Sequence, residues 1–360
     1  MKAFVTGGTG FVGRRVVRKL LERGYTVYAL ARSAESAALL EKMGATVVWG
    51  DITDAASMRE GMRGSDVVFH LAAWYKLGGA SRVEANRINV AGTRKTLRLA
   101  HELGVPRIIY VSTVNVFGDT LGELVDESYV GQGAFFSEYE RTKWLAHYKV
   151  ALPLIQRAAP VIIVMPGVVY GPGDKSVIGQ LMRLFYLEKL PVVPAPETIL
   201  SYTHVDDIAD GLILAVEKGR IGESYILTGP AVPLGEMIDF WGQLTAKRPP
   251  LLRVPAKLLR PFAPLLGVLE RFVRLPEWLS QEALQSLGAS YAARADKARA
   301  ELGWTTRSLH TGMLETFADI AATAPPPPVI AAARQRRTAA LGLVAVASLL
   351  FFWLLARRKS

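Results

Sequence analysis

Tyr139 and Lys143 are the residues whose types and spacing most directly suggest catalysis. They lie four positions apart in residues 137–152, whose apolar spacing predicts a helix, so both side chains project from one helix face. A tyrosine with a pKa of about 10 is a poor acid or base at neutral pH. A nearby ammonium group favours the phenolate by charge attraction. The pair therefore predicts acid–base catalysis by Tyr139, although the same spacing also fits an ordinary solvated helix face.

Two hydroxyl side chains stand where a predicted strand, residues 107–112, comes to its end. Ser112 and Thr113 are the residues concerned. A hydroxyl group at this point is placed to hydrogen-bond the carbonyl or carbinol oxygen of a substrate. Ser112, Thr113, Tyr139 and Lys143 therefore form a candidate catalytic set.

A glycine-rich turn follows the first apolar strand and opens a helix. Gly7, Gly10 and Gly13 recur at every third position, with Phe11 and Val12 between the last two. Such glycines permit a tight turn, close approach of the backbone to a diphosphate, and close packing of helix on strand. The diphosphate then faces the free N–H groups of the helix N-terminus. These five residues are predicted to bind a dinucleotide, the alternative being an ordinary tight turn.

The end of the second predicted strand bears on the choice between NAD and NADP. An acid that would hold the adenosine 2′-hydroxyl is missing there, and Arg32 follows instead. A guanidinium group pairs well with a 2′-phosphate, so NADP(H) is favoured over NAD(H), unless Arg32 is only a solvated loop charge. After the third strand, Asp51 and Ile52 are placed to flank the adenine. The segment after the fourth strand is predicted to line the cofactor's path, beginning at His70 and continuing through Leu71, Ala72 and Ala73.

Strands alternate with helices along the first half of the chain. This alternation predicts an α/β fold, a Rossmann doubly wound parallel sheet with a smaller C-terminal substrate-binding annex. Besides residues 1–6, the predicted strands are residues 26–31, 46–49, 66–72, 107–112 and 161–164. A last surface helix is predicted at residues 292–302.

The chain is divided by composition into four parts. Residues 1–175 form the dinucleotide-binding domain, to which residues 201–216 return, and residues 176–320 form mainly the annex. Residues 321–337 are a proline-rich basic linker. Residues 338–356 carry no charge, and nineteen apolar or small residues are long enough to span a bilayer as a helix of about 20 residues. A C-terminal transmembrane anchor is therefore expected; a buried core helix is the alternative.

Charge and composition exclude several classes of function. The net charge is +11, but without six basic residues near the C-terminus it is +5, so a nucleic-acid partner is not expected. These residues are Arg334, Arg336, Arg337, Arg357, Arg358 and Lys359. The absence of cysteine excludes disulfides, a thiol nucleophile and thiolate-bound metals. No metal site is predicted, because the five histidines are scattered without a pair four residues apart.

Over residues 1–320 the sequence resembles the extended short-chain dehydrogenase/reductase superfamily, of the epimerase/dehydratase-like type. Besides the turn and the Tyr139/Lys143 pair, the resemblance is carried by residues 89–93, 111–118, 166–174 and 204–211. It implies that Tyr139 is the acid/base and that Lys143 lowers its pKa while holding the nicotinamide ribose. It further implies that Thr113 is the catalytic hydroxyl, that Asn89 supports the active-site helix, and that Pro166 and Val168 touch the cofactor.

The substrate is suggested by what residues 164–170 lack. Sugar-nucleotide epimerases usually carry an Arg-Asn pair there, and this stretch has neither residue. The pattern is more similar to the 3β-hydroxysteroid dehydrogenase and dihydroflavonol reductase branch, although Met165 replaces an arginine common in it. We therefore expect an alcohol/ketone oxidoreductase for a sterol-, terpenoid- or lipid-like substrate. A sugar epimerase/dehydratase and a non-catalytic membrane-tethered NAD(P)-binding scaffold are the alternatives.

The expected setting follows from the anchor and the cofactor. The catalytic domain is expected in the cytoplasm, where reduced nicotinamide cofactor is available, and a homodimer is a further expectation from the resemblance. Residues 251–274 are apolar and basic with helical spacing. They are interpreted either as a lid that rests on lipid headgroups or as an ordinary amphipathic helix packed on the sheet domain.

Overall fold

The structure is a computed structural model of the chain. It describes residues 1–75, 81–131, 133–270, 272–273 and 275–324. Every statement below concerns those residues.

The described residues contain twelve strands. They are β1 (Lys2–Thr6), β2 (Thr26–Ala31), β3 (Thr46–Trp49), β4 (Val67–His70), β5 (Ile108–Val111), β6 (Val161–Pro166), β7 (Val168–Tyr170), β8 (Val193–Pro194), β9 (Ile199–His204), β10 (Ser224–Leu227), β11 (Ala231–Pro233) and β12 (Arg253–Val254).

Fourteen α-helices accompany the strands in the described residues. They are α1 (Phe11–Glu22), α2 (Ala34–Lys42), α3 (Ala55–Met62), α4 (Arg82–Ala85), α5 (Thr93–Glu102), α6 (Glu138–Ala146), α7 (Leu152–Ile155), α8 (Val177–Tyr186), α9 (Val205–Lys218), α10 (Leu234–Thr245), α11 (Ala256–Leu259), α12 (Ala263–Leu269), α13 (Gln281–Ser286) and α14 (Leu309–Thr323). Two π-helical segments, Asn86–Gly92 and His147–Ala151, join α4 to α5 and α6 to α7.

Seven parallel strands form the main sheet, in the order β10-β6-β5-β4-β1-β2-β3. Its central strands are buried along their length, as expected for a parallel sheet covered on both faces. One apolar core includes Val16, Leu20 and Leu212, and the other includes Leu97, Ala146 and other residues of the opposite face. The predicted doubly wound parallel α/β fold is thereby confirmed.

The strand order reverses between β1 and β4. From β1 the chain builds outward through β2 and β3, and from β4 it builds in the other direction through β5 and β6. In open α/β sheets, ligands bind in the crevice at such a switch point, beyond the carboxyl ends of the strands. This edge of the sheet therefore positions the candidate site.

Two features of the second half differ from the sequence expectations. The predicted helix at residues 292–302 is wrong in its first part, because Tyr291 and Ala293 lie in extended backbone that bridges to Leu200 and Val125. Helical backbone begins at Asp296 and continues through the π-helical turn Ala298–Leu302, and the last described helix is α14. The sequence analysis also missed β10, a short strand that closes one edge of the main sheet.

The smaller sheets lie outside the seven-stranded sheet. One has the order β11-β9-β7, and the other pairs β8 with β12. Helix α9 packs against α1, so part of residues 201–216 lies on the dinucleotide-binding sheet.

Residues 325–360, which include the predicted anchor at 338–356, lie outside the described residues. Up to Ala324, apart from the gaps named above, the chain has no helix with the length and apolarity that a membrane crossing requires.

Candidate active site

The glycine turn lies at the crevice between β1 and β4. Neighbouring backbone is so close to its three glycines that they have no room for side chains. Gly7 adopts a φ of +74°, and a Cβ atom on it would lie 2.6 Å from the backbone nitrogen of Ala72. A Cβ on Gly13 would collide with the carbonyl oxygen of Gly7, and one on Gly10 would lie 3.2 Å from that oxygen. Gly10 begins α1 without a side-chain cap, so the first N–H groups of the helix are not taken by a capping side chain. This cradle fits a dinucleotide diphosphate.

Arg32 and Asp51 meet where the adenosine end of a dinucleotide would lie. The Nη1 atom of Arg32 is 3.5 Å from a carboxylate oxygen of Asp51, and Arg32 is largely exposed. Burial opposes ionisation of Asp51, but hydrogen bonds from Thr53 and the charges of Arg32 and Arg87 outweigh it and lower the pKa of Asp51. The guanidinium group of Arg32 therefore has an ionised partner at this edge of the sheet.

The other predicted cofactor residues line the same edge of the sheet. Ile52 is buried, whereas Ala73 is exposed. The remaining predicted contacts are Phe11 and Val12 in the first turn of α1, Leu71 and Ala72 after β4, Pro166 at the end of β6, and Val168 at the start of β7. His70 is different: it is fully buried and bridges the hydroxyl groups of Thr6, at 2.8 Å, and Thr93, at 2.9 Å. It ties β1, β4 and α5 together and does not line the cofactor's path.

Tyr139 lies in the first turn of α6, which Ser137 caps by accepting a hydrogen bond from the backbone nitrogen of Glu140. Burial raises the pKa of Tyr139 to about 12; a hydrogen bond with Thr113 acts in the opposite direction and the charge of Glu140 in the same one. Thr113 also caps the short turn after β5. The structure thus brings Tyr139 and Thr113 together, with the phenol protonated at neutral pH.

Lys143 follows one turn later and is buried. Its ammonium group donates a 2.7 Å hydrogen bond to the carbonyl oxygen of Val111 at the end of β5 and lies 4.9 Å from the centre of the Tyr110 ring. Burial lowers the pKa of Lys143 to about 7. An ammonium carries three N–H donors, and Val111 accepts one of them.

Asn89 links the loop after β4 to the catalytic helix. Its side-chain oxygen accepts a 2.6 Å hydrogen bond from the backbone nitrogen of Trp74. Its amide nitrogen donates to the Trp74 carbonyl oxygen and to the Thr142 hydroxyl, both at 2.9 Å. Asn89 is buried, and all three bonds connect elements that flank Tyr139. Asn89 therefore supports the catalytic helix through Thr142.

Ser112 is turned toward a different partner from Thr113. Its hydroxyl lies 2.9 Å from Nδ1 of His147, in the π-helical segment after α6. Burial, with a smaller contribution from the charge of Lys143, lowers the pKa of His147 to about 4, so the imidazole is neutral. Of the two predicted hydroxyls, Thr113 is the one that hydrogen-bonds Tyr139.

A buried carboxyl group connects the catalytic helix to the annex. Glu140 accepts a 2.8 Å hydrogen bond from the backbone nitrogen of Phe136 and a 2.6 Å bond from the hydroxyl of Tyr291. Burial raises the pKa of Glu140 to about 7. The residue next to Tyr139 thus fixes the position of the extended annex segment around Tyr291.

Sequence reasoning missed several of these residues. Tyr75 lies beside Tyr139 with the rings edge-to-face, 4.9 Å between centres, and the side chain of Tyr75 is 45% exposed. Thr142 directly precedes Lys143, and His147 lies four positions after it, in the π-helical segment that follows α6. These short spacings from Lys143 are a signal in the sequence for both residues. Nothing in the spacing of Glu140 and Tyr291, 151 positions apart, signals their contact.

Comparison with known proteins agrees with this geometry. A model of the NAD dependent epimerase/dehydratase family matches residues 3–227. A 4-hydroxy-2-methyl-3-oxo-4-farnesyl-3,4-dihydroquinoline-1-oxide ketoreductase of Stigmatella aurantiaca is 32% identical, over 86% of this chain and 93% of that protein. The sterol demethylase protein B of Methylococcus capsulatus is 29% identical, over 89% of this chain and 98% of that protein.

Among solved structures, the crystal structure of gox2253 has a TM-score of 0.76 and 31% sequence identity, and it covers 89% of this chain and 98% of that chain. The family match spans the glycine turn, Thr113, Tyr139 and Lys143. The protein is therefore a member of the NAD-dependent epimerase/dehydratase family.

Proposed function

We propose that the protein is an NAD(P)-dependent oxidoreductase that interconverts an alcohol and a ketone on an apolar substrate. The observation that carries the proposal is the convergence of Tyr139, Thr113 and Lys143 beside the glycine cradle. The names of the ketoreductase and of the sterol demethylase protein support an apolar, ring-containing substrate.

The protein's own residues manage the proton. In the reducing direction Tyr139, whose raised pKa keeps it protonated, donates its proton to the substrate oxygen, and Thr113 holds that oxygen by hydrogen bonding. Lys143, fixed by Val111, would hold the nicotinamide ribose through its other N–H donors and would stabilise the phenolate that forms. The nicotinamide, when bound, supplies the hydride to the substrate carbon.

NADP(H) is the cofactor we favour over NAD(H). In support, Arg32 directly follows β2, is largely exposed, and lies 3.5 Å from a carboxylate oxygen of Asp51. A charge-assisted hydrogen bond from a guanidinium to a phosphate is stronger than one to a neutral hydroxyl.

The proposed setting is a membrane. The uncharged residues 338–356 would anchor the chain in the bilayer, where an apolar substrate is concentrated. The catalytic domain would lie on the cytoplasmic side of that bilayer. External protease should leave the domain intact in sealed cells; digestion from outside would contradict this orientation. A homodimer stays a prediction, and sedimentation analysis of the purified chain would measure its oligomeric state.

The test is redox turnover by the full chain. With NADPH and a lipid extract of host membranes, we expect cofactor oxidation and a lipid product two hydrogens heavier. Tyr139→Phe should abolish both, while Tyr75→Phe, which removes the neighbouring phenol, should retain turnover. An isobaric product from a sugar nucleotide, without cofactor loss, would instead establish the epimerase alternative, which the family description keeps open.

A further inference from the structure

Helix α12 and the turn after it carry their large apolar side chains on the side facing solvent. Leu265, Val268 and Leu269 recur at i, i+3 and i+4, which places them on one face of α12, and Phe272 follows in the turn after the helix. Their exposed fractions are 50%, 51%, 42% and 81%. This arrangement is the reverse of an ordinary surface helix, which turns its apolar face to the core.

The opposite side of the same helix carries the small residues Ala263 and Gly267, the polar Glu270 and one large apolar residue, Leu266, which is partly buried. Ala263 is buried, and Gly267 lies so close to Gln281 of α13 that a Cβ atom would collide with its side chain. Glu270 accepts a 3.3 Å hydrogen bond from the backbone nitrogen of Gln281. Packing against the protein therefore uses this face and leaves the apolar one outside.

Neighbouring residues enlarge the apolar surface. Leu258 and Val273 are 44% and 50% exposed. We call these six exposed residues, Leu258, Leu265, Val268, Leu269, Phe272 and Val273, the outer face. Monomeric soluble proteins rarely expose contiguous large apolar patches, and those that do use them to meet a partner or a membrane.

The composition of residues 251–274 favours an anionic lipid surface, because the segment contains five basic residues and a single acidic one, Glu270, which packs inward. Arg253 is paired with Asp239 and Arg260 donates to the carbonyl oxygen of Leu287, whereas Lys257 is exposed beside Leu258. Basic residues combined with exposed Leu and Phe are typical of helices that lie in the membrane interface. A soluble acidic protein would satisfy the charges but would not require so many large apolar groups.

The chain beyond Ala324 also points to a bilayer. Residues 325–337 separate the described residues from the uncharged stretch 338–356. Thirteen residues span at most about 45 Å when fully extended. If the uncharged stretch lies in a bilayer, the globular part stays within that distance of the lipid surface.

We propose that the outer face docks on the surface of a lipid bilayer as a second membrane contact, separate from the C-terminal stretch. The docked segment is joined to the catalytic helix, because the guanidinium of Arg260 lies 5.2 Å from the Phe136 ring centre and Glu282 accepts a 3.2 Å hydrogen bond from the backbone nitrogen of Glu138. Docking therefore brings the N-terminal turn of α6, with Tyr139, toward the membrane. The docking itself does not depend on the redox reaction.

The experiment uses the absence of cysteine in the chain. Single cysteines are introduced in the full-length protein as Leu265→Cys or Phe272→Cys, and as Leu121→Cys or Ile221→Cys for controls that are 81% and 52% exposed elsewhere. Each variant is nitroxide-labelled and bound to vesicles of phosphatidylcholine and phosphatidylglycerol. We expect labels at 265 and 272 to become several-fold less accessible to a water-soluble nickel complex and more accessible to oxygen, while both controls remain aqueous.

Three results would overturn the proposal. The labels at 265 and 272 could stay as accessible to nickel as the controls on bound vesicles, or the protein could fail to bind vesicles. The third result is that the labels at 265 and 272 are already protected from nickel without vesicles, which would show that the C-terminal stretch or a second copy of the chain covers the outer face. Dipolar broadening between the nitroxide labels would identify the second copy. As a further check, Leu265→Glu/Phe272→Glu should remove the immersion of a label at Leu258→Cys without changing thermal unfolding, since both residues are exposed.

Discussion

The ammonium group of Lys143 donates a 2.7 Å hydrogen bond to the carbonyl oxygen of Val111. This bond fixes the catalytic helix α6 to the carboxyl end of β5, immediately before Ser112 and Thr113. It places a buried cation within one helical turn of Tyr139, at the edge of the sheet where the glycine cradle also lies. The cost of burying that charge is visible in the lowered pKa of Lys143, about 7.

Lys143 should make stability depend on pH in a defined direction. The folded state releases the lysine proton near pH 7, whereas the unfolded state holds it until about 10.5. Between these values the unfolded state binds more protons, so stability rises with pH. Relative to Lys143→Met, the parent should therefore gain free energy of unfolding from pH 7 to 9.5 in urea titrations. Lys149→Met is the matched control, because Lys149 is exposed in the π-helical segment that follows α6.

Glu140 should act in the opposite direction and at lower pH. Its pKa of about 7 against an ordinary 4.5 means that the folded state keeps the proton that the unfolded state loses. The parent should therefore lose stability relative to Glu140→Gln as the pH rises from 4.5 to 7, by roughly 3 kcal/mol at most. Urea unfolding at several pH values measures this. A flat difference would contradict the buried Glu140–Tyr291 contact; Glu123→Gln, at an exposed site, is the control.

Removing Asn89 should weaken positioning without removing a reacting group. Asn89→Ala leaves the backbone nitrogen of Trp74 without its partner, at a cost of about 1–3 kcal/mol. We expect kcat to fall more than cofactor affinity, because the displaced elements flank Tyr139. Steady-state kinetics and cofactor titration separate the two. Asn86→Ala, which removes a local hydrogen bond from the side-chain amide to the carbonyl oxygen of Arg82, should leave kcat unchanged. Equal effects of both variants would refute the positioning role.

Arg32 should determine the choice of cofactor. Arg32→Ala removes a charge-assisted contact to a 2′-phosphate, so the Kd for NADPH should rise by about 10- to 100-fold. The Kd for NADH should change little, because that cofactor has a hydroxyl group there. Fluorescence titration with both cofactors provides the internal control. A parallel loss of NADH affinity would show that Arg32 acts only by holding Asp51.

The sequence predicted the framework of the site because its signals are local. Gly7, Gly10 and Gly13 act within one turn, and Tyr139 and Lys143 share one helix face, so short spacings suffice. The contacts of Glu140 with Tyr291 and of Ser112 with His147 depend on how distant elements pack, and no spacing reveals them. The helix predicted at residues 292–302 failed for the same reason: Tyr291 and Ala293 are held in extended backbone by residues far away in sequence.

The outer face illustrates the same limit in another way. Helical spacing in residues 251–274 is visible in the sequence, but the side that packs against the protein is not. The structure shows that Gly267 and Glu270 take the inner side of α12 while Leu265, Val268 and Leu269 are exposed, and the lid on lipid headgroups stays a prediction.

The most direct test of the account is transfer of deuterium from C4-deuterated NADPH to an apolar ketone by the full-length protein. We predict a carbinol product that carries one deuterium on carbon, with kcat reduced by about 10²- to 10⁴-fold in Tyr139→Phe and retained in Tyr75→Phe. Deuterium that never appears in any apolar product, or that appears at the same rate without the Tyr139 hydroxyl, would contradict the proposed reaction.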